Sequence, residues 1–128
     1  MVDSTRRCAR CGSDKPVTDF YQETNRGRVR IRRSCKSCTI AATRAYNIRR
    51  NYDLTIDAYE AMVVGQGGVC AVCRRPEADN GHLAVDHDHR TNAIRGLLCK
   101  RCNTLLGMAD DDIEVLAEAI TYLSRSRA

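Results

Sequence analysis

Val85-Asp86-His87-Asp88-His89 is followed five residues later by Ile94-Arg95-Gly96-Leu97-Leu98-Cys99-Lys100-Arg101-Cys102-Asn103. These two stretches decide how the chain folds. Cys70-x-x-Cys73 precedes them, so two Cys-x-x-Cys pairs bracket a short Asp/His-rich segment. Four thiolates at that spacing close a tetrahedral zinc site, and the metal then folds the segment around it. Leu83-Ala84-Val85 reads as a short strand leading into Asp86, with residues 93–98 as its hairpin partner. Residues 99–106 read as a helix ended by Gly107. Asn103 directly follows Cys102, so on that helix it points about 100° away from the thiolate and can turn toward the hairpin. A carboxylate, an imidazole and an amide remain, which are what an oxygen-ligated metal and a general base need. A metal-dependent hydrolase is therefore expected rather than a plain zinc finger.

The same ligand format occurs once more upstream. Cys8-x-x-Cys11 and Cys35-x-x-Cys38 flank a spacer of 23 residues, against 25 between Cys73 and Cys99. All eight cysteines fall into such pairs. Disulfides are the alternative for an even count, but two-residue gaps suit chelation better than long-range stapling. No apolar signal segment follows Met1, and no stretch is long or apolar enough to span a membrane. Two structural Zn²⁺ ions and a reducing, cytoplasmic setting are expected. In 128 residues with 5% aromatics and no Trp, a large packed core is not expected, and metal staples take its place.

Charge is unevenly spread. Residues 1–50 carry 13 Lys/Arg against 4 Asp/Glu, and residues 51–128 carry 8 against 12. A basic half joined to an acidic half is what a polyanion-binding arm on a second module looks like. Arg26, Arg28, Arg30 and Arg32 alternate with Gly27, Val29 and Ile31. On a strand, with a turn at Asn25 to Gly27 and Phe20-Tyr21 on the partner, this period puts four guanidiniums on one face. Such a ladder suits phosphate contact, and DNA is the expected partner.

Residues 38–51 lack Gly and Pro and read as a helix (Ala41, Ala42, Ala45, Tyr46, Ile48) carrying Arg44, Arg49 and Arg50. Thr55 is placed to cap a second helix with Ile56, Tyr59 and Val63 on one face, ended by Gly65-Gln66-Gly67-Gly68. Ile113, Leu116, Ile120 and Leu123 form one stripe of a C-terminal helix, with Asp111 and Glu114 resembling a capping box. Asp110-Asp111-Asp112 is read as acids favoured at a helix start, not as a metal site.

The residues from Gly68 through Cys73, from Val85 to His89 and from Ile94 to Asn103 together resemble the phage recombination endonuclease VII family, a branch of the His-Asn-His or ββα-metal nucleases. The likeness covers about residues 68–108. It implies that Asp86 and Asn103 hold one catalytic divalent metal, Mg²⁺ or Mn²⁺, and that His87 is the general base toward the attacking water. It further implies that His89 assists near the phosphate. Arg95 is an additional candidate for a phosphate contact. Strand alternation would place Asp86 and His87 on opposite faces, so the resemblance requires the strand to end, bulge or turn between them. Asn92 stands where family members often have Gly, and Asn tolerates a left-handed turn. Leu105 and Leu106 occupy a stretch where some members carry an acid, so selective cutting of branched DNA is not implied.

The fold expected is a small α+β zinc-stabilised protein. It comprises a basic four-cysteine zinc module at 1–38, a helical connector at 39–67 and a ββα-metal nuclease domain at 68–128. The expected function is a DNA endonuclease with a one-metal mechanism in a phage or prophage setting. Branched, nicked and plain duplex substrates are left open, and cutting both strands of a junction would favour a homodimer. The alternative is a non-catalytic DNA-binding zinc protein.

Overall fold

Each half of the chain contains a Cys-x-x-Cys turn, and the two turns share one hydrogen-bond scheme. Cys8 N–H donates to Ser13 O at 2.9 Å and Gly12 N–H donates to Cys8 O at 2.9 Å. Their counterparts are Cys70 N–H to Arg75 O at 2.8 Å and Arg74 N–H to Cys70 O at 3.0 Å. The reversal puts the residue after the second cysteine in the left-handed region, with φ +70° at Gly12 and +61° at Arg74. Glycine adopts that conformation freely, whereas Arg74 is held there by the turn around it.

The computed structural model describes residues 4–78 and 81–127. Contacts divide the chain into two compact units, Met1–Asp53 and Leu54–Ala128. In the first, β1 (Thr5–Arg7) and β2 (Asp14–Pro16) pair antiparallel on either side of the cysteine turn. A single 3₁₀ turn leads to the hairpin of β3 (Phe20–Asn25) and β4 (Arg28–Cys35), which runs directly into α1 (Lys36–Tyr52). Phe20, Cys8 and Cys35 form the buried centre, with Ile31 and Cys38 packed against them. Arg49 and Arg50 sit in the last turn of α1, where the helix dipole favours cations.

The arginine ladder differs from the sequence expectation. Arg26 and Gly27 form the hairpin turn itself, both with positive φ (+48° and +76°), and the strand starts only at Arg28. Near the zinc end, Arg32, Arg33 and Ser34 together oppose Tyr21, so strict alternation is broken there as well. Val29, expected on the apolar side, is 62% exposed. The tip of this hairpin is a ribbon solvated on both sides rather than a strand with one buried face.

The second unit begins with α2 (Ile56–Gly65), whose cap Thr55 accepts the Ala58 N–H at 3.2 Å. Gly67 and Gly68 end the helix with φ of +69° and +73°, a backbone that glycine alone adopts without strain. The second cysteine turn follows. Next come the antiparallel pair β5 (Ala84–His87) and β6 (Ile94–Leu98), then α3 (Lys100–Met108) and α4 (Ile113–Arg125). Tyr59, Leu83, Val85, Leu97 and Leu98 are buried with Cys70, Cys99 and Cys102. Two helix boundaries differ from expectation. α3 runs through Gly107 to Met108, because a lone glycine costs a helix only about 1 kcal/mol. Asp112, not Asp111, caps α4, accepting the N–H groups of Glu114 at 2.8 Å and Val115 at 3.2 Å. Ile113, Ile120 and Leu123 of its stripe stand 80%, 68% and 60% exposed. Among the described residues, no helix is long and apolar enough to cross a membrane.

Two sets of side-chain hydrogen bonds that the sequence does not reveal tie this unit together. The Tyr59 hydroxyl donates to Leu83 O at 2.6 Å, anchoring α2 to the approach of β5. The Gln66 amide clamps β6: its Oε1 accepts Leu97 N–H at 2.9 Å and its Nε2 donates to Leu97 O at 2.9 Å. Tyr59→Phe should lower the stability of the zinc-loaded protein by about 1–3 kcal/mol, since a buried carbonyl loses its donor. The check is the urea unfolding midpoint.

Candidate active site

Both four-cysteine clusters are assembled as the spacing requires. Cys8, Cys11, Cys35 and Cys38 bring their sulfurs within 4.8 Å of one another, as do Cys70, Cys73, Cys99 and Cys102. Cys73 Sγ and Cys99 Sγ lie 3.7 Å apart. That matches the edge, about 3.8 Å, of a tetrahedron of sulfurs at about 2.3 Å from a zinc ion. In each unit the third cysteine is the cap residue of a helix: Cys35 before α1 and Cys99 before α3. Backbone N–H groups aim at the sulfurs, including Cys35 N–H on Cys8 at 3.3 Å and Val72 N–H on Cys70 at 3.4 Å.

These donors prepare the thiolates. N–H groups of Cys11, Cys35 and Arg10 outweigh burial and bring Cys8 down to about 5. Burial opposes the change at Cys70, but the N–H groups of Cys73, Cys99 and Val72 together still lower it to about 6. Cys38, through its hydrogen bond with Cys35, and Cys102, through burial and then its hydrogen bond with Cys99, are pushed up to about 12. Metal entry must therefore expel protons from the high thiols, while the low ones are ready to bind. The clusters suit structural zinc in chemistry and in size.

The zinc frame of the second unit holds a distorted hairpin. Asp86 pairs with Gly96 but His87 pairs with Ile94, so β6 carries one extra residue, Arg95, at this point. The irregularity lies on the strand facing Asp86 and His87, while β5 itself runs unbroken through both and ends at His87. A bulge re-aims the side chains on either side of it, and here it brings Arg95 onto Asp86. Arg95 Nε donates to Asp86 Oδ2 at 2.7 Å and Nη2 to Oδ1 at 2.9 Å. Nη2 also reaches Asp111 Oδ1 at 3.1 Å. Asp86 first and Asp111 second hold the guanidinium more firmly charged than usual. Asp86 is the buried charged residue of the site, 7% exposed, so a partner for it is a physical necessity.

His87 and His89 lie side by side with ring centroids 4.7 Å apart and planes tilted by 43°. Asp88, which has no role in the sequence reading, organises the loop. Its Oδ1 accepts the N–H groups of Thr91 at 2.9 Å and Arg90 at 2.8 Å, and these bonds hold its carboxyl below the usual carboxylate range. Asn92 closes the loop at φ +59°, as expected of Asn in place of Gly. Asn103 is solvent-exposed on α3, one residue after the buried ligand Cys102, and α3 packs on both β5 and β6. Glu77 Oε2 accepts the Lys100 N–H at 2.7 Å, satisfying a first-turn donor of α3 that the helix itself leaves unpaired. His82 is exposed ahead of β5.

A family model described as recombination endonuclease VII matches residues 45–125, more than half of the chain. The Gene 59 protein of Mycobacterium phage D29 is 42% identical over 97 residues, 75% of this chain and 57% of that protein. The Gene 59 protein of Mycobacterium phage L5 is 44% identical over 92 residues, 71% and 54% respectively. The chain thus spans little more than half the length of these relatives. Among solved structures, the ββα-Me type II restriction endonuclease Hpy99I is 26% identical, with a TM-score of 0.42 over 95% of this chain and 66% of that one.

Cys99→Ser should reduce bound zinc from two equivalents to one. The measurement is metal released per chain on thiol oxidation, and two equivalents retained in the variant would contradict the assigned ligand set.

Proposed function

The chain belongs to the recombination endonuclease VII family, and from that premise we propose that it is a DNA endonuclease of the His-Asn-His type hydrolysing phosphodiester bonds. The observation that carries this reading is Asp86, a buried carboxylate on a zinc-braced hairpin, set at a bulge directly before His87. Asp86 and the Asn103 amide oxygen form the donor set for one Mg²⁺ or Mn²⁺; both are hard oxygen donors. When bound, the ion supplies charge stabilisation at the scissile phosphate and the leaving 3′-oxygen. His87 takes the proton of the attacking water. His89, in ring contact with His87, helps to orient it beside the phosphate. Arg95 contributes a cation that can meet a phosphate oxygen.

The basic module at 1–38 grips DNA through the ribbon bearing Arg26, Arg28, Arg30 and Arg32. Residues 39–67 connect it to the cutting domain at 68–128. The ribbon is exposed, and Arg32 is the member paired with an acid, Glu23, at 2.6 Å. Branched, nicked and plain duplex DNA are the candidate substrates, and a homodimer would place two sites on one junction. The setting is the cytoplasm of a phage-infected cell.

His87→Ala should lose roughly 10²- to 10⁴-fold in Mg²⁺-dependent cleavage while still binding DNA. Nicking of plasmid, junction and single-stranded substrates measures it. A variant that cuts as well as wild type would remove His87 from the mechanism, and a wild type that does not cut would leave only a DNA-binding zinc protein. Arg28→Ala combined with Arg30→Ala should flatten the salt dependence of DNA affinity by roughly 0.9 in log–log slope per phosphate contact removed. Titration at several salt concentrations checks this.

A further inference from the structure

The carboxylate that the proposed chemistry needs is already held at both oxygens. Arg95 engages Asp86 in the two-pronged manner of a guanidinium on a carboxylate, at 2.7 and 2.9 Å. The Asp86 side chain is 10% exposed, Arg95 35% and Asp111 25%, so the triad is partly screened from water. Planar, bidentate pairing is among the strongest that a carboxylate makes, and a neighbouring positive charge opposes the arrival of a dication. Asp111, from the turn between α3 and α4, accepts from the same Nη2 at 3.1 Å. It would keep Arg95 tethered when Arg95 leaves Asp86.

Building on the nuclease reading, we propose that Arg95 is a gate on Asp86: its bidentate pairing competes with the divalent cation for this carboxylate, and Arg95 must turn away before the ion is held. The geometry gives the gate a reason to open on the correct substrate. A DNA phosphate offers Arg95 a second anion of the same bidentate kind. Substrate and metal then favour the same arrangement of the site, and each binds more tightly in the presence of the other. Arg95 acts through Asp86, so it is a positioning residue for metal binding as well as a phosphate contact.

The test is Mn²⁺ binding to the zinc-loaded protein without DNA, followed by calorimetry. Arg95→Lys keeps the charge but loses the fork, and it should bind Mn²⁺ roughly tenfold more tightly than wild type. That is the worth of one charge-assisted hydrogen bond removed from the competitor. Arg101→Ala removes an exposed charge of α3 that does not pair with Asp86 and should leave the affinity within about twofold. Arg95→Gln, checked for an unchanged thermal transition, serves if the Lys variant fails to fold, and it should also tighten Mn²⁺. Mn²⁺ binding that Asp86→Ala abolishes but that both Arg95 variants leave unchanged or weaken would overturn the gate and leave the nuclease reading standing. Absence of any Asp86-dependent Mn²⁺ binding, in wild type and variants alike, would overturn both.

Discussion

Four thiolates meeting at one point, with the third of them at the start of a helix, is the constraint on which each unit depends. Of the twelve buried apolar residues described, five are cysteines, and the largest fully buried side chains are one Phe and one Leu beside three of these cysteines. A core this thin does not hold a hairpin and a helix in register by itself. Structural zinc contributes on the order of 10 kcal/mol in small zinc domains, comparable with the whole stability of a small protein. Because Cys99 caps α3, binding the ion also fixes where the helix begins. Asn103, four residues on from Cys99, is thereby fixed in its place along α3.

The bulge at Arg95 resolves a conflict that a regular hairpin could not. With strict pairing, Asp86 and Arg95 would point to opposite faces of the sheet, and a buried carboxylate would be left without a countercharge. One extra residue on β6 turns the guanidinium onto the acid and, on the other strand, changes the partner of His87 from the regular Arg95 to Ile94. Gln66 makes this deviation tolerable: its amide replaces a missing strand neighbour at Leu97, immediately next to the bulged segment. Gly96 belongs to the same adjustment, since a Cβ there would stand 3.3 Å from the Gln66 Oε1.

Features governed by local chemistry are legible in the sequence. The cysteine pairs, the Thr55 cap, the glycine stop after α2 and the Asn92 turn all follow from spacing or from one residue's conformational preference. What escapes a sequence reading depends on side chains reaching backbone or partners far along the chain. Gln66 meets Leu97 across 31 residues, Glu77 meets Lys100 across 23, and Asp111 meets Arg95 across 16. No periodicity marks such pairs. The run of three acids reads as helix-start charge, but only Asp112 caps the helix, and Asp111 sits at φ +56° facing the site. The arginine ladder departs from its expected period at both ends for a related reason: the turn consumes Arg26, and the bulge beside the zinc consumes the register of Arg32.

The two units carry different hairpins on one shared cysteine scaffold. Ala9 N–H donates to Arg33 O at 2.9 Å and Ala71 N–H donates to Leu97 O at 3.0 Å. Each donor directly follows the first cysteine, and each acceptor lies two residues before the third. Turn, hairpin and cysteine-capped helix are therefore the same construction twice, although their spacers share little sequence. What differs is the hairpin held between the ligands. β3 and β4 span 6 and 8 residues, end in an exposed arginine turn and place their irregularity against the zinc. β5 and β6 span 4 and 5 residues and place theirs at Asp86, away from the cysteines. A long, solvated, basic hairpin can lie along a charged polymer but cannot bury a carboxylate. A short one, capped by Asp88 and clamped by Gln66, can. The position of one bulge along a shared frame thus separates a surface suited to gripping from a site suited to reacting.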